Sequence, residues 1–394
     1  MDGTLITPTP PELGAGGPIP LSQAEVVAAL AAFARRWRDP ADSFRRRTEA
    51  LVAPFPFAMV RVSLDALLDS LTPDALWRLI DSEGVRDACG VPLVGHVIAG
   101  NTPLLAWTSV LRALLMRSAS LVKLPSGDAA EWGRLFHASL AEVSPALASS
   151  VELQRWAGGT RERDRALCES VDLVLAYGSD ETINALRALC PPDTPLVGYG
   201  HRVSFGLVLD GADWDEAARG FATDILLYDQ GGCLSPQTIF VEGDWGQAQF
   251  FAAGLADALA AAVPEYPLPH RDPRAAGRVR EARALARMEA GTHLWEDHAL
   301  RWTVIARPAA AFTLSPTHGV VSVQPLASRD ALPAALAPVR RHLQGCALAA
   351  PSLTPPELAA GGLGVSYLCP PGRLQAPPLS WPQDDRPVLR SLLP

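Results

Sequence analysis

Between Val91 and Leu209 the chain repeats one pattern, in which a short apolar run is followed by a turn and an amphipathic helical stretch. The apolar runs cover residues 92–99, 120–124, 171–177 and 204–209. Short strands that are apolar throughout and separated by helices are typical of a doubly wound parallel sheet. Such a sheet commonly binds a nucleotide at the carboxyl ends of its strands. The pattern therefore predicts an α/β nucleotide-binding domain.

The sequence on either side of this region predicts further helices, strands and domains. Ser22 and Glu25 have capping-box spacing, which predicts a helix from Gln23 to Trp37. After Leu209, helical stretches at 213–227, 245–261 and 275–288 alternate with strands at 237–242, 302–306 and 320–323, as in a second α/β domain. The last 44 residues contain 10 prolines, which indicates an extended segment. We expect a flexible tail (1–20), a nucleotide-binding domain with a helical N-terminal part (21–204), a catalytic domain (205–350) and a Pro-rich segment (351–394) that packs on the domains or in an oligomer interface.

Charge and cysteine usage exclude several classes of protein. The 42 acidic residues exceed the 34 basic ones, so no overall positive field favours nucleic-acid binding. The six cysteines show neither CxxC nor paired histidine spacing, so we expect no metal site, no disulfide framework and a reducing, cytoplasmic setting. The N-terminus has no basic region typical of a signal peptide. The apolar stretch 91–111 carries His96, Asn101 and Pro103, which a membrane span would tolerate poorly.

Cys233 follows Gly231 and Gly232 and stands just before a predicted strand. Two glycines let the backbone approach a substrate closely and let the Cys233 N–H point at a developing oxyanion. This placement suits a nucleophile. A core cysteine after a tight turn is the alternative, and the spacing alone does not decide between them.

Asn101 ends a hydrophobic strand and precedes an apolar helix that Pro103 could open at its first position. Its side-chain amide could donate a hydrogen bond into the crevice at the strand end, as an oxyanion donor does. Equally, Asn101 could be the N-cap of the following helix.

Lys123 is the only lysine of the chain, and the other 33 basic residues are arginines. A compact ammonium at a strand end suits a point contact to a ribose hydroxyl or a phosphate. Downstream, Gly178 and Ser179 lie between a strand and a helix whose cap is Ser179 or Asp180. Free N–H groups at such a helix start can bind a pyrophosphate, although most strand-to-helix turns share this form.

Five motifs in one order resemble the landmarks of the aldehyde dehydrogenase superfamily, and more closely its acyl-CoA reductase (LuxC) branch. The resemblance runs from about Leu21 to the C-terminus and includes the ending at Trp381–Leu389. The motifs are Gly100-Asn101, Lys123-Leu124-Pro125-Ser126, Tyr177-Gly178-Ser179, Gly198-Tyr199-Gly200-His201-Arg202 and Gln230-Gly231-Gly232-Cys233. The resemblance implies an aldehyde dehydrogenase-like α/β fold, with a doubly wound nucleotide-binding domain and a second α/β catalytic domain.

The resemblance also implies a reaction. Cys233 would attack an acyl thioester, Asn101 and the Cys233 N–H would hold the oxyanion, and hydride from a reduced nicotinamide would release an aldehyde. His201 could assist protonation or be structural. Gly198 stands where hydrolytic relatives carry a water-activating glutamate, a departure that favours thioester reduction over aldehyde oxidation. No counterpart of the cofactor-binding glutamate is found near Ser315–Val320.

The expected cofactor is NADPH rather than NADH. Ser126 falls where NAD-preferring relatives often carry an acidic residue, and a small neutral side chain leaves space for a 2′-phosphate beside Lys123. We expect Lys123, Ser126, Gly178 and Ser179 to bind the cofactor. The expected substrate is an acyl-CoA or a carrier-bound acyl group, with a possible acyl-activating synthetase partner and a homo-oligomeric state. The alternatives are an acyl-phosphate reductase and a non-catalytic nucleotide-binding subunit.

Overall fold

A computed structural model describes residues 19–50, 55–126, 129–268, 271–351 and 364–394. The expected tail therefore lies outside the described residues up to position 18. The described residues form two compact units. The first contains 19–50, 64–201 and 378–394, and the second contains 55–63 and 202–377.

The first unit is built on a parallel sheet of five strands in the order β3-β2-β1-β4-β5. In this register Val97 of the first strand pairs with Lys123 on one side and Ala176 on the other. The strands are β1 (Leu93–Val97), β2 (Ala119–Leu124), β3 (Val151–Arg155), β4 (Leu173–Tyr177) and β5 (Leu196–Tyr199). The helices before and between them are α1 (Gln23–Arg38), α2 (Ser43–Glu49), α3 (Phe57–Asp69), α4 (Pro73–Ser82), α5 (Leu105–Leu115), α6 (Ala130–Val143), α7 (Pro145–Ala148), α8 (Arg161–Ser170) and α9 (Asp180–Arg187). Residues 57–63 of α3 are assigned to the second unit.

The second unit contains a seven-stranded sheet in the order β12-β11-β6-β7-β10-β9-β8, parallel except that β8 runs antiparallel to β9. Its strands are β6 (Val203–Val208), β7 (Pro236–Glu242), β8 (His293–Glu296), β9 (Thr303–Ala306), β10 (Val320–Leu326), β11 (Leu343–Ala349) and β12 (Tyr367–Cys369). Its helices are α10 (Trp214–Leu226), α11 (Trp245–Ala262), α12 (Pro273–Met288) and α13 (Leu332–Leu336). Short 3-10 turns lie at Leu227–Gln230, Arg329–Ala331 and Ala337–His342 here, and at Gln383–Asp385 and Arg390–Leu392 in the first unit.

Most predicted elements are present. The four apolar runs form β1, β2, β4 and β6, whose residues are buried throughout. Ser22 and Glu25 form the predicted capping box of α1. Strands β3, β5, β8, β11 and β12 were not predicted. Polar residues alternate with apolar ones in β3, and β5, β8 and β12 have only three or four residues. Strand β11 is buried throughout, but Gln344 and Gly345 interrupt its apolar run.

His96 lies in the middle of β1 and is completely buried. Its Nδ1 lies 2.7 Å from Oγ of Ser109 and its Nε2 lies 3.1 Å from Oγ of Ser120. Burial lowers the pKa of His96 to about 3, because the charged imidazolium loses its hydration. The ring is therefore neutral at physiological pH and belongs to the core.

Residues 378–394 are irregular, with turns and two short 3-10 helices, and are hydrogen-bonded to the rest of the first unit. The buried guanidinium of Arg112 donates to the carbonyls of Leu379 and Trp381, at 2.9 Å and 3.0 Å. The Glu83 carboxylate accepts three successive backbone N–H groups, from residues 388–390. The described part of the chain contains no helix that is both long and apolar enough to cross a membrane.

Candidate active site

In the first unit, the predicted site residues follow the carboxyl ends of four neighbouring strands. Asn101 follows β1, Lys123 is the penultimate residue of β2 and Ser126 lies two residues after that strand, Gly178 and Ser179 follow β4, and His201 follows β5. Because these strands are parallel and adjacent, their carboxyl ends share one edge of the sheet. The structure therefore brings the predicted residues of this unit to a single edge.

Asn101 is exposed and does not cap a helix. Helix α5 starts at Leu105, and its N-cap residue is Leu104, whose side chain makes no capping hydrogen bond. The alternative interpretation of Asn101 as an N-cap is thus wrong. Pro103 precedes the cap and does not open the helix at its first position, since the chain needs residues 98–104 to turn from β1 into α5.

Lys123, the only lysine of the chain, is buried, with 8% of its surface exposed. Its Nζ lies 5.9 Å from the centre of the Trp156 ring, and Trp156 donates its indole N–H to Asp164 at 2.8 Å. Burial lowers the pKa of Lys123, while the charge of Asp164 raises it by a smaller amount. The protein around Lys123 therefore does not fully offset the free-energy cost of burying the ammonium charge. An anionic or strongly polar ligand would stabilise the charged form.

Ser179 is the N-cap of α9, and its Oγ accepts the N–H of Thr182 at 3.3 Å. The first turn of α9 carries Asp180 and Glu181, whose carboxylates occupy the positive end of the helix dipole. Asp180 also accepts the backbone N–H of His201 at 3.0 Å, which ties the loop after β5 to α9. A phosphate at this helix start would therefore meet two negative charges, which opposes its binding there.

In the second unit, Cys233 is half-buried and follows a strained turn just before β7. Tyr228, Asp229 and Gln230 all adopt left-handed backbone conformations, with φ of 58°, 52° and 60°. Each such non-glycine residue costs roughly 1 kcal/mol or more, so three in succession persist only where the surroundings stabilise them. The contacts of this turn therefore position Cys233.

Gln230 provides one set of these contacts and is 2% exposed. Its Nε2 donates to the carbonyls of Pro236 and Val320, each at 2.9 Å. Its Oε1 accepts the hydroxyl of Ser315 at 3.2 Å. The side chain thus joins the turn to β7 and β10, the two strands beside it.

Residues just after the turn contact side chains of β6 and of the segment 370–377. Ser204 donates its hydroxyl to the Cys233 carbonyl at 2.9 Å. A Cβ added at Gly232 would lie 2.7 Å from Oε1 of Gln375, whose Nε2 donates to the Ser235 hydroxyl at 2.9 Å. A side chain at position 232 would therefore displace the end of Gln375, and the glycine serves close packing and not a positive φ.

Asp224, a buried residue of α10, anchors the segment that carries Gln375. Its carboxyl group accepts the backbone N–H groups of Gly372 and Leu374 at 2.7 Å and 3.0 Å. Burial raises the pKa of Asp224 to about 8, although these N–H donors act in the opposite direction. Through Gln375, this anchor contributes to the position of the cysteine turn.

Asp229 joins the turn to a charged cluster. Its carboxylate lies 2.7 Å from a guanidinium nitrogen of Arg271 and 2.5 Å from Nδ1 of His318. Arg278 lies 2.7 Å from Nε2 of His318. Because a guanidinium can only donate, Nε2 accepts and the ring proton is on Nδ1, which donates to Asp229.

The motifs revealed Cys233, but no local signal marked Asp229, Gln375 or Ser204 as its neighbours.

Gly198, on β5, stands where a water-activating glutamate would be expected in a hydrolytic relative. A Cβ added there would lie 2.5 Å from Cγ2 of Ile183 on α9. The space for a longer side chain is therefore filled by the core of the first unit.

Among the described residues, no group of three or more His, Cys, Asp or Glu side chains could hold a metal ion.

Comparison with known proteins identifies relatives by sequence. The model of the family described as acyl-CoA reductase (LuxC) matches residues 19–393. A long-chain acyl-protein thioester reductase from Aliivibrio fischeri is 30% identical over 154 residues, which are 38% of this chain and 32% of the relative. A long-chain acyl-protein thioester reductase 2 from Photobacterium leiognathi is 29% identical over 198 residues, 48% of this chain and 41% of the relative. The match thus spans about a third to two fifths of these curated relatives.

Solved structures support the fold. An NAD-dependent benzaldehyde dehydrogenase from Corynebacterium glutamicum matches with a TM-score of 0.71 at 15% identity, over 95% of this chain and 84% of the other. An NADP-dependent glyceraldehyde-3-phosphate dehydrogenase from Bacillus halodurans C-125, complexed with NADP, matches with a TM-score of 0.65 at 16% identity, over 91% and 79%. At such low identity these matches concern the fold alone. The predicted aldehyde dehydrogenase-like α/β fold is confirmed.

Proposed function

The chain belongs to the acyl-CoA reductase (LuxC) family, and on this premise we propose that it reduces an acyl thioester to an aldehyde through an acyl-enzyme on Cys233. The observation that carries the proposal is the strained turn of Tyr228–Gln230, which is stabilised by buried contacts and leads into Gly231, Gly232 and Cys233. Strain of this kind is concentrated at functional sites. The similar proteins from Aliivibrio fischeri and Photobacterium leiognathi are named acyl-protein thioester reductases, which supports this substrate class.

In the proposed reaction the Cys233 thiolate attacks the thioester carbonyl, and the bond from that carbon to the leaving sulfur breaks. The leaving thiolate then takes up a proton. The Cys233 N–H and the Asn101 side-chain amide are proposed to donate to the oxyanion. Asn101 is a candidate because it follows β1 at the carboxyl end of the strand and is exposed. His201, exposed after β5, is the proposed proton donor.

The protection of the acyl-enzyme from water is part of the proposal. At Gly198, Ile183 fills the space that a water-activating carboxylate would need. A reductase gains from the absence of this base, because hydrolysis would release the acid in place of the aldehyde.

The proposed cofactor is NADPH, and the first unit has residues that fit it. Lys123 carries an incompletely compensated charge at a strand end, Ser126 is small and exposed two residues after β2, and Ser179 presents a hydroxyl after β4. Lys123 and Ser126 would contact the ribose and its 2′-phosphate, and Gly178 and Ser179 the pyrophosphate. The nicotinamide of the bound cofactor supplies the hydride that releases the aldehyde. The expected cytoplasmic setting, homo-oligomer and synthetase partner stay predictions.

The test follows NADPH absorbance after the protein is mixed with acyl-CoAs of different chain lengths. We expect oxidation with aldehyde formation, abolished in Cys233→Ala and retained in Cys89→Ala, a matched control because Cys89 is also half-buried. If no acyl-CoA is reduced but a thiol reagent labels Cys233 selectively, carrier-bound acyl groups and acyl phosphates are tested next. If Cys233 is not labelled either, a non-catalytic nucleotide-binding subunit is favoured.

A further inference from the structure

Cys168 and Cys190 lie with their Sγ atoms 3.1 Å apart in the first unit. We propose that this pair is a thiol–disulfide exchange site, which a low-molecular-weight disulfide such as oxidised glutathione converts into an internal disulfide. The pair is separate from Cys233 and its turn, and the inference does not depend on the reductase activity. Their spacing of 22 positions in sequence matches no thiol motif, so only the fold brings them together.

The two cysteines come from different elements. Cys168 lies on α8, the helix before β4, and Cys190 lies just after α9, the helix that follows β4. The backbone N–H of Cys190 donates to the Leu186 carbonyl at 3.0 Å, which continues the last turn of α9. Cys168 is completely buried in the hydrophobic core between these helices, together with Leu167, Ile183 and Leu186.

The remaining distance to a covalent bond is small. A disulfide has an S–S length of about 2.05 Å, so the two sulfurs need to approach by only about 1 Å. Both side chains lie at the ends of short, packed elements, and small rotations about the Cα–Cβ bonds can supply that movement without unfolding a helix.

Burial decides the order of the two exchange steps. Cys190 is half-buried, whereas Cys168 is buried, and burial raises the pKa of the Cys168 thiol. The Cys190 thiolate therefore attacks the small disulfide first, which forms a mixed disulfide and releases one thiolate. Cys168 then loses its proton to solvent and attacks the Cys190 sulfur, which closes the internal disulfide and releases the second thiolate. Two protein thiols are oxidised, and one small disulfide is reduced to two thiols.

The cross-link would enclose β4 and α9, including Ser179 at the start of α9. A disulfide that closes a loop in a native geometry restricts the unfolded chain. We therefore expect oxidised protein to melt at a higher temperature than reduced protein.

The experiment incubates the folded full-length protein with an excess of oxidised glutathione, alkylates remaining thiols and digests with trypsin. Cleavage after Arg165, Arg187 and Arg202 separates the two cysteines into peptides 166–187 and 188–202. The expected product is these two peptides joined by a disulfide, which dithiothreitol separates again. The proposal is overturned if Cys190 keeps a stable glutathione adduct in the wild type, or if both thiols remain reduced while a denatured sample is oxidised.

Single variants test the order of attack. In Cys168→Ala, Cys190 should retain a stable glutathione adduct, because no second thiol can displace it. In Cys190→Ala, Cys168 should stay unmodified, because glutathione cannot reach it in the folded core. Cys89→Ala is the matched control and should form the internal disulfide like the wild type. Circular dichroism shows whether each variant is folded, and a Cys190→Ala protein that is folded yet modified at Cys168 would contradict the order.

Discussion

Nδ1 of His318 lies 2.5 Å from Oδ2 of Asp229, and the backbone N–H of His318 donates to the Asp229 carbonyl at 3.0 Å. These two bonds join the loop before β10 to a turn 89 positions away in sequence. Since Asp229 has φ of 52°, the histidine stabilises both the side chain and the strained backbone of the residue four positions before Cys233.

Asp229→Asn tests this relationship. The substitution keeps the size of the side chain but removes the charge that faces Arg271, a side chain only 8% exposed. We expect a loss of unfolding free energy on the order of 2 kcal/mol, because a buried cation loses its counterion. We also expect kcat to fall by about tenfold to a hundredfold, because Cys233 is displaced.

The position of the thiol can be measured apart from turnover. At a temperature where both proteins are folded, we expect maleimide to label Cys233 at a different rate in Asp229→Asn than in the wild type. Asp257→Asn, which removes an exposed carboxylate from α11, is the control and should change neither rate. An Asp229→Asn protein with unchanged labelling and unchanged kcat would remove Asp229 from the positioning of Cys233.

Gly232→Ala should slow the reaction, because the added methyl group would lie 2.7 Å from Oε1 of Gln375. We expect kcat to fall by about tenfold or more, with little change in KM for the cofactor. The double variant Gly232→Ala/Gln375→Ala should recover part of the loss, because it removes the colliding side chain. Steady-state kinetics of the two single variants and the double variant measure this coupling. Additive losses would show that Gln375 does not restrict Gly232.

His96 predicts how the stability of the first unit depends on pH. Its pKa is lowered from 6.5 to about 3 in the folded state, so below pH 6.5 the unfolded chain binds more protons than the folded one. Its contribution to stability is therefore complete above about pH 6.5 and declines as pH falls toward 3. Between pH 7 and pH 5 we expect it to lower the free energy of unfolding by about 2 kcal/mol.

Urea unfolding of the wild type and of His96→Gln at pH 7 and pH 5 measures this contribution. Glutamine can still bond to Ser109 and Ser120 but does not titrate, so the difference between the two pH values should shrink by that amount. His137→Gln, which changes a half-buried histidine of the same unit, is the control and should keep most of the wild-type difference. Equal pH dependence in the wild type and in His96→Gln would contradict the lowered pKa.

Ser126→Glu tests the cofactor preference. A carboxylate at this exposed position would repel a 2′-phosphate, so we expect KM for NADPH to rise by about tenfold or more while KM for NADH changes little. Ser149→Glu adds the same charge at another exposed site of the unit and should leave both constants unchanged. If the two cofactors respond equally to Ser126→Glu, the 2′-phosphate is bound elsewhere.

Structural features that depend on a local pattern of residues could be predicted from the sequence. The apolar runs of β1, β2, β4 and β6 are buried along their whole length, so hydrophobicity alone located them and indicated the α/β fold. Lys123 was conspicuous because no other lysine occurs, and Cys233 because two glycines precede it. Strand β3 was missed because polar residues alternate along it, and the buried strand β11 was missed because Gln344 and Gly345 interrupt its apolar run.

The tertiary structure decided which distant side chains meet. Gln375 bonds to Ser235 across 140 positions, Asp229 to His318 across 89, and Cys168 approaches Cys190 across 22. Sequence periodicity reports which face of an element is buried, but it does not report which other element covers that face. The proposed nucleophile could therefore be recognised from its own neighbours in the chain, whereas the contacts that stabilise its turn follow only from the packing of strands and segments that the chain places far apart.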